Sequence, residues 1–135
     1  MLTEFELAFN GEVGIAPTHE LLELRFHLHD EENQEVAEEL ANLAREVELN
    51  ELHVGGDLDP IYADLTKKIA DNIYVLVGTA VVLGLPLKEA FAEVHRSNMS
   101  KLGENGKPIY REDGKVLKGP NYTKADIQQF FPSLN

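Results

Sequence analysis

Glu31, Glu32 and Glu35 stand within five residues of one another, and a later segment reads His95-Arg96-Ser97-Asn98-Met99-Ser100-Lys101. Carboxylate oxygens are the hard ligands that Mg²⁺ and Mn²⁺ prefer. A cationic, Gly-rich stretch suits phosphate. The two are segregated: Met1 to Val94 holds 5 Lys or Arg against a large excess of acids, while His95 to Lys124 holds 7 against 3 acids. Together they point to a metal-dependent site for a phosphorylated small molecule.

Helical geometry sharpens this reading. At about 100° per residue, Glu32 and Glu35 fall on the helix face that carries Leu21, Leu24 and Leu28, with Glu31 at its edge. A solvated acidic face would turn away from those leucines, and carboxylates continuing an apolar row need a cation to compensate them. The competing reading is a plain charged surface, since Glu38, Glu39, Glu46 and Glu48 follow on the same helix. Asp64, Lys68, Asp71 and Val75 form a flank of the next helix, and Asp71 completes the acid set if the two helices pack antiparallel.

The elements that position these residues are helical. Thr18 is placed to cap a helix running to about Leu49, with Leu22, Phe26, Val36, Leu40, Leu43 and Val47 on one stripe. Asn50–Pro60 reads as a loop. A second helix is expected from Asp59 to Leu83, with Ile61, Leu65, Ile69, Leu76 and Leu83 inward, closed by Gly84-Leu85-Pro86. A third runs from Leu87 to about Leu102 through Phe91 and Val94. Leu2, Phe5 and Phe9 suggest a short amphipathic start, and Thr123 a cap for a last helix, Lys124 to Phe131. Asn105-Gly106 and Asp113-Gly114 mark turns of a small hairpin or flap. The expected fold is all-α: one domain over residues 1–135, a bundle of four to five helices with a Gly-rich C-terminal flap at about 103–122. Its apolar surface calls for completion by oligomerisation.

Composition excludes other classes. A net charge of −12 argues against a nucleic-acid polymer as partner. The absence of cysteine rules out disulfides and thiolate zinc sites. The apolar run Ile73–Leu87, broken by Gly78, Gly84 and Pro86, is too short to span a bilayer. MLTEFELAFNGE lacks a basic, then apolar, leader, so a cytoplasmic location is expected. His27 and His29, two apart on a helix, point to different faces and do not share an ion. Gly103 to Pro108 follows a helix and lacks a Lys-Ser/Thr ending, so it is no P-loop.

The ordered set of segments resembles the all-α nucleotide pyrophosphohydrolases, the MazG-like and phosphoribosyl-ATP pyrophosphohydrolase-like group. That group's pattern is E-E-x-x-E on one helix and E-x-x-D on the next. Here Glu31-Glu32-Asn33-Gln34-Glu35 is followed by Lys68-Ile69-Ala70-Asp71-Asn72-Ile73-Tyr74-Val75, then by the Ser-Asn-Met-Ser-Lys segment, Gly106-Lys107-Pro108-Ile109, Lys115 and Lys118-Gly119-Pro120-Asn121-Tyr122. The likeness spans about Thr18 to Tyr122.

The resemblance implies hydrolysis of a (deoxy)nucleoside triphosphate to the monophosphate and pyrophosphate, with a dUTP-like or other house-cleaning substrate. Mg²⁺ (or Mn²⁺) would be held by Glu31, Glu32, Glu35 and Asp71, with Glu32 as the base. Lys101, Lys107, Lys115 and Lys118 would meet phosphates, Asn98 the sugar or base, and Tyr122 would stack; the assembly would be a dimer or tetramer. Lys68 departs from the pattern, because a protonated ammonium cannot ligate a metal. Reduced activity, or a nucleotide-binding relative without turnover, follows as an alternative, and Asp64 is a possible substitute ligand. Phosphoribosyl-ATP is the alternative substrate. An acidic helical interaction module with no small-molecule site is the remaining reading.

Overall fold

A computed structural model of the chain describes residues 13–52 and 54–131. They contain three α-helices, α1 (His19–Glu51), α2 (Asp59–Val82) and α3 (Leu87–Met99), and a 3₁₀ turn, Gln128–Phe130. No strand occurs among the described residues beyond an isolated bridge between Tyr110 and Val116. The chain is all-α, and its described residues hold three of the four to five helices expected of the whole chain. The amphipathic start through Leu2, Phe5 and Phe9 lies outside the described residues. Contacts separate two compact units, Met1–Leu85 and Pro86–Asn135.

In the first unit, α1 starts where the side chain of Thr18 accepts the amide of Leu21 at 3.2 Å, satisfying one of the free donors of the first turn. The loop after it folds back tightly: Val54 and Gly55 both donate to the Leu49 carbonyl, and the Asp57 carboxylate accepts the Asp59 amide at the entry to α2. The cross-helix pairs Glu35–Lys68, Asn33–Asn72 and His29–Thr79 advance along α2 as they retreat along α1, so the helices run antiparallel. At the far end Gly14 and Ile15 donate to the carbonyls of Val81 and Val82, occupying acceptors that a helix C-terminus leaves open. Gly84, at φ +64°, turns the chain out of α2, with Gly14 so close that a Cβ there would stand 3.0 Å from its Cα. Only Gly fits both demands.

The apolar stripes differ from expectation in one respect. On α1, Leu22, Leu24, Phe26, Leu40 and Val47 are exposed, as are Ile69 and Leu76 of α2. Among the described residues the buried apolar side chains are Ala80 and Val82, near the Gly14 contact. Periodicity identifies an apolar face, but a pair of helices covers only the strip along which they touch.

In the second unit, α3 stops at Met99 rather than Leu102. The Lys101 carbonyl, which a continuing helix would use, accepts Gly119 N–H at 2.9 Å instead. Arg111 N–H donates to Lys115 O and Leu117 N–H to Ile109 O around a turn with Gly114 at φ +82°, giving the small hairpin that Asp113-Gly114 signals. The expected helix Lys124 to Phe131 is reduced to the 3₁₀ turn, and Thr123 caps nothing. Its amide donates to Ser100 Oγ, its carbonyl accepts Ser97 Oγ at 2.9 Å, and its hydroxyl accepts Arg96. Arg96 also reaches Lys124 O, and Asp126 N–H donates to Glu93. The groups of a first helical turn are thus already bound to α3.

Candidate active site

Glu32 is the centre of the acidic cluster. It is half-buried, and its Oε2 is fully covered without a hydrogen-bond partner. Loss of hydration raises its pKa, and the charges of Glu35, Asp71 and Glu31 push it further in the same direction, with Lys68 alone opposing. The antiparallel register brings Asp71 level with Glu32, so carboxylates from both helices act on Glu32. Asp64 is exposed and is not among the groups acting on Glu32, so the structure gives it no part in the cluster.

Two lysines answer this charge in different ways. Lys68 Nζ lies 2.6 Å from Glu35 Oε2 across the helix pair, with side-chain exposures of 26% and 35%. Lys67 Nζ lies 2.6 Å from Asp71 Oδ2 one helical turn along, but is 67% exposed. The Lys67 pair follows i,i+4 spacing and was readable from sequence. Asn72, unusual within an apolar stripe, donates to Asn33 Oδ1 at 2.8 Å across the helices. No sequence signal marked Asn33. His29 Nε2 lies 3.0 Å from Thr79 Oγ1, a contact between helices.

Among the described residues no three His, Asp or Glu side chains stand close enough together to hold a metal ion in these rotamers. The reason is local: Glu35 and Asp71 are turned to lysines and Glu31 is exposed. The chemistry of the set nevertheless fits a hard cation. All four are carboxylates, the charge of the other three on Glu32 is opposed by Lys68 alone, and the covered oxygen of Glu32 lacks a partner.

The second unit carries the other candidate residues. Lys101 Nζ donates to Asn98 Oδ1 at 2.7 Å, which ties these two side chains together. Lys118 Nζ sits 4.5 Å from the ring centroid of Tyr122, a cation–π contact. Lys107 and Lys115 are exposed. Gly119 locks this stretch to the end of α3, since a Cβ there would meet the Leu102 carbonyl oxygen at 2.2 Å. Glu93, pulled down to about 2 by the hydrogen bond from Arg96 and the amide of Asp126, anchors the same stretch. Sequence reasoning missed the Glu93–Arg96–Thr123 network because, beyond the i,i+3 pair of Glu93 and Arg96, the bonds that tie it to Thr123 and Asp126 join residues 27 or more positions apart.

A family model described as phosphoribosyl-ATP pyrophosphohydrolase matches residues 2–98, well over half of the chain. The match contains all four carboxylates and Lys68 and ends before Lys101. A search of curated proteins returned no match.

Proposed function

The chain belongs to the phosphoribosyl-ATP pyrophosphohydrolase family, within the MazG-like all-α nucleotide pyrophosphohydrolases, and from that premise we propose that it hydrolyses a (deoxy)nucleoside triphosphate to the monophosphate and pyrophosphate in a metal-dependent reaction. The observation that carries the reading is Glu32, a half-buried carboxylate set among Glu35, Asp71 and Glu31 with one oxygen lacking a partner. Glu31, Glu32, Glu35 and Asp71 would hold Mg²⁺, or Mn²⁺, once the exposed Lys67 yields Asp71. Bound there, the ion supplies charge neutralisation of phosphate oxygens and a water of lowered pKa.

Glu32 takes the proton of the attacking water. The water oxygen bonds to the α-phosphorus, the bond to the α–β bridging oxygen breaks, and pyrophosphate leaves with that electron pair. Lys101, Lys107, Lys115 and Lys118 are assigned to the phosphates, Asn98 to the sugar or base, and Tyr122 to stacking. The exposed faces bearing Leu22, Phe26, Leu40 and Leu76 support a homo-oligomer in which a second copy covers them. No single described helix is long and apolar enough to cross a membrane; a cytoplasmic enzyme acting on free nucleotides is the reading that accompanies this chemistry.

Phosphoribosyl-ATP is the second substrate reading, favoured by the description of the matching family. Both substrates undergo the same α–β cleavage. Pyrophosphate release from a panel of dUTP, the other (deoxy)nucleoside triphosphates and phosphoribosyl-ATP, with Mg²⁺ or Mn²⁺ and with EDTA, tests the proposal. Metal-dependent release from any of them supports it, and the preferred member fixes the substrate. Thermal stabilisation by a nucleotide without release from any would replace it with a binding role, as Lys68 in place of an acid suggests.

A further inference from the structure

We infer that Lys68 is a tethered cation within the acidic cluster that offsets part of its charge, so that the cluster loads a single metal ion per chain. The inference rests on the metal-dependent reading above and deepens it. Three observations carry it. The ammonium stands within the cluster, not beside it: Nζ is 2.6 Å from Glu35 Oε2, on the opposite helix, and Asp71 and Glu32 also act on it. It is held there by partial cover, with 26% of the side chain exposed, whereas Lys67 at 67% lies in solvent. A pair as exposed as Lys67–Asp71 is screened by solvent and yields readily to a competing ion. The half-covered Lys68–Glu35 pair is harder to open, because separating it strands a carboxylate against the helix pair.

Charge and ligand supply lead to the same number. Four carboxylates carry four negative charges; one divalent ion and the Lys68 ammonium together offset three of them. With one Glu35 oxygen held by Lys68, the oxygens remaining on Glu31, Glu32, Glu35 and Asp71 suffice for one Mg²⁺, which uses few carboxylates and keeps several waters. A second ion would have to expel the ammonium from its place between the helices, or bind beside it against direct repulsion.

The test uses the full chain and Mn²⁺, counted by the loss of the free-ion electron paramagnetic resonance signal during titration. Wild type is expected to bind one Mn²⁺ per chain. Lys68→Glu, which removes the ammonium and adds a carboxylate, is expected to bind two. Lys68→Met, which removes the charge without adding a ligand, is expected to bind one ion about tenfold more tightly at low salt, because a like charge next to the site is gone. The gain should shrink as salt screens it. Circular dichroism spectra establish that each variant is folded, and the Met variant and the wild-type count keep the test open if the Glu variant is not. Two ions in wild type, one in Lys68→Glu, or unchanged affinity in Lys68→Met would each overturn the assignment. Two ions in wild type together with metal-dependent pyrophosphate release would remove Lys68 alone. No Mn²⁺ bound by any variant, with release persisting in EDTA, would remove the metal-dependent reading as well.

Discussion

Replacing Glu32 by Gln should make the metal-free protein more stable and the enzyme inactive. Glu32 faces like charges on Glu35, Asp71 and Glu31, and only Lys68 opposes them. A like-charge pair at helical spacing costs roughly 0.2–0.5 kcal/mol. Three repulsions less one attraction, together with the lost hydration of the covered oxygen, come to about 1 kcal/mol in favour of the neutral amide. For a chain of this size that is a rise in Tm of about 4 °C.

The sign follows from linkage. The folded protein raises the Glu32 pKa above its ordinary 4.5, so the fold is penalised once pH climbs past the folded value and is unpenalised below 4.5. The difference between variant and wild type should therefore be full at about pH 7.5 and vanish on acidification. Thermal melts in EDTA at fixed protein concentration measure it. Excess Mg²⁺ should then reverse the order, because it stabilises wild type by mass action and the variant far less. Pyrophosphate release should fall by about a hundredfold or more. A variant that melts at or below wild type in EDTA would refute the electrostatic account of the cluster.

Two further outcomes concern the second unit. Glu93→Gln should destabilise the protein at neutral pH. Because the Glu93 pKa is lowered to about 2, the deficit should hold above the ordinary carboxylate range and disappear as pH falls toward that value, which a pH series of thermal melts resolves. Gly119→Ala places a Cβ against the Leu102 carbonyl oxygen and should cost roughly 1–3 kcal/mol in urea unfolding; an unchanged midpoint would show that this contact yields without cost.

What could be read from the chain alone was whatever depends on near neighbours. Thr18 begins a helix and Gly84-Leu85-Pro86 ends one because capping and turn chemistry act within a few residues. The end of α3 and the fate of Lys124 to Phe131 were illegible for the opposite reason: Lys101, Thr123 and Asp126 spend their backbone groups on partners well over a dozen residues away. Within the acid cluster, spacing picked out Glu32, Glu35 and Asp71, and pattern singled out Lys68. That Lys68 meets Glu35 requires the register of two helices, which no local signal encodes.

The break between Leu85 and Pro86 also bears on how such a protein can diversify. The acids assigned to chemistry are encoded before it, and the polar groups assigned to recognition after it, each stretch closed by its own hydrogen bonds. On the proposed assignment, drift in the downstream stretch would alter which base or sugar is preferred while leaving the upstream carboxylates in register. Selection can retune one property at a time.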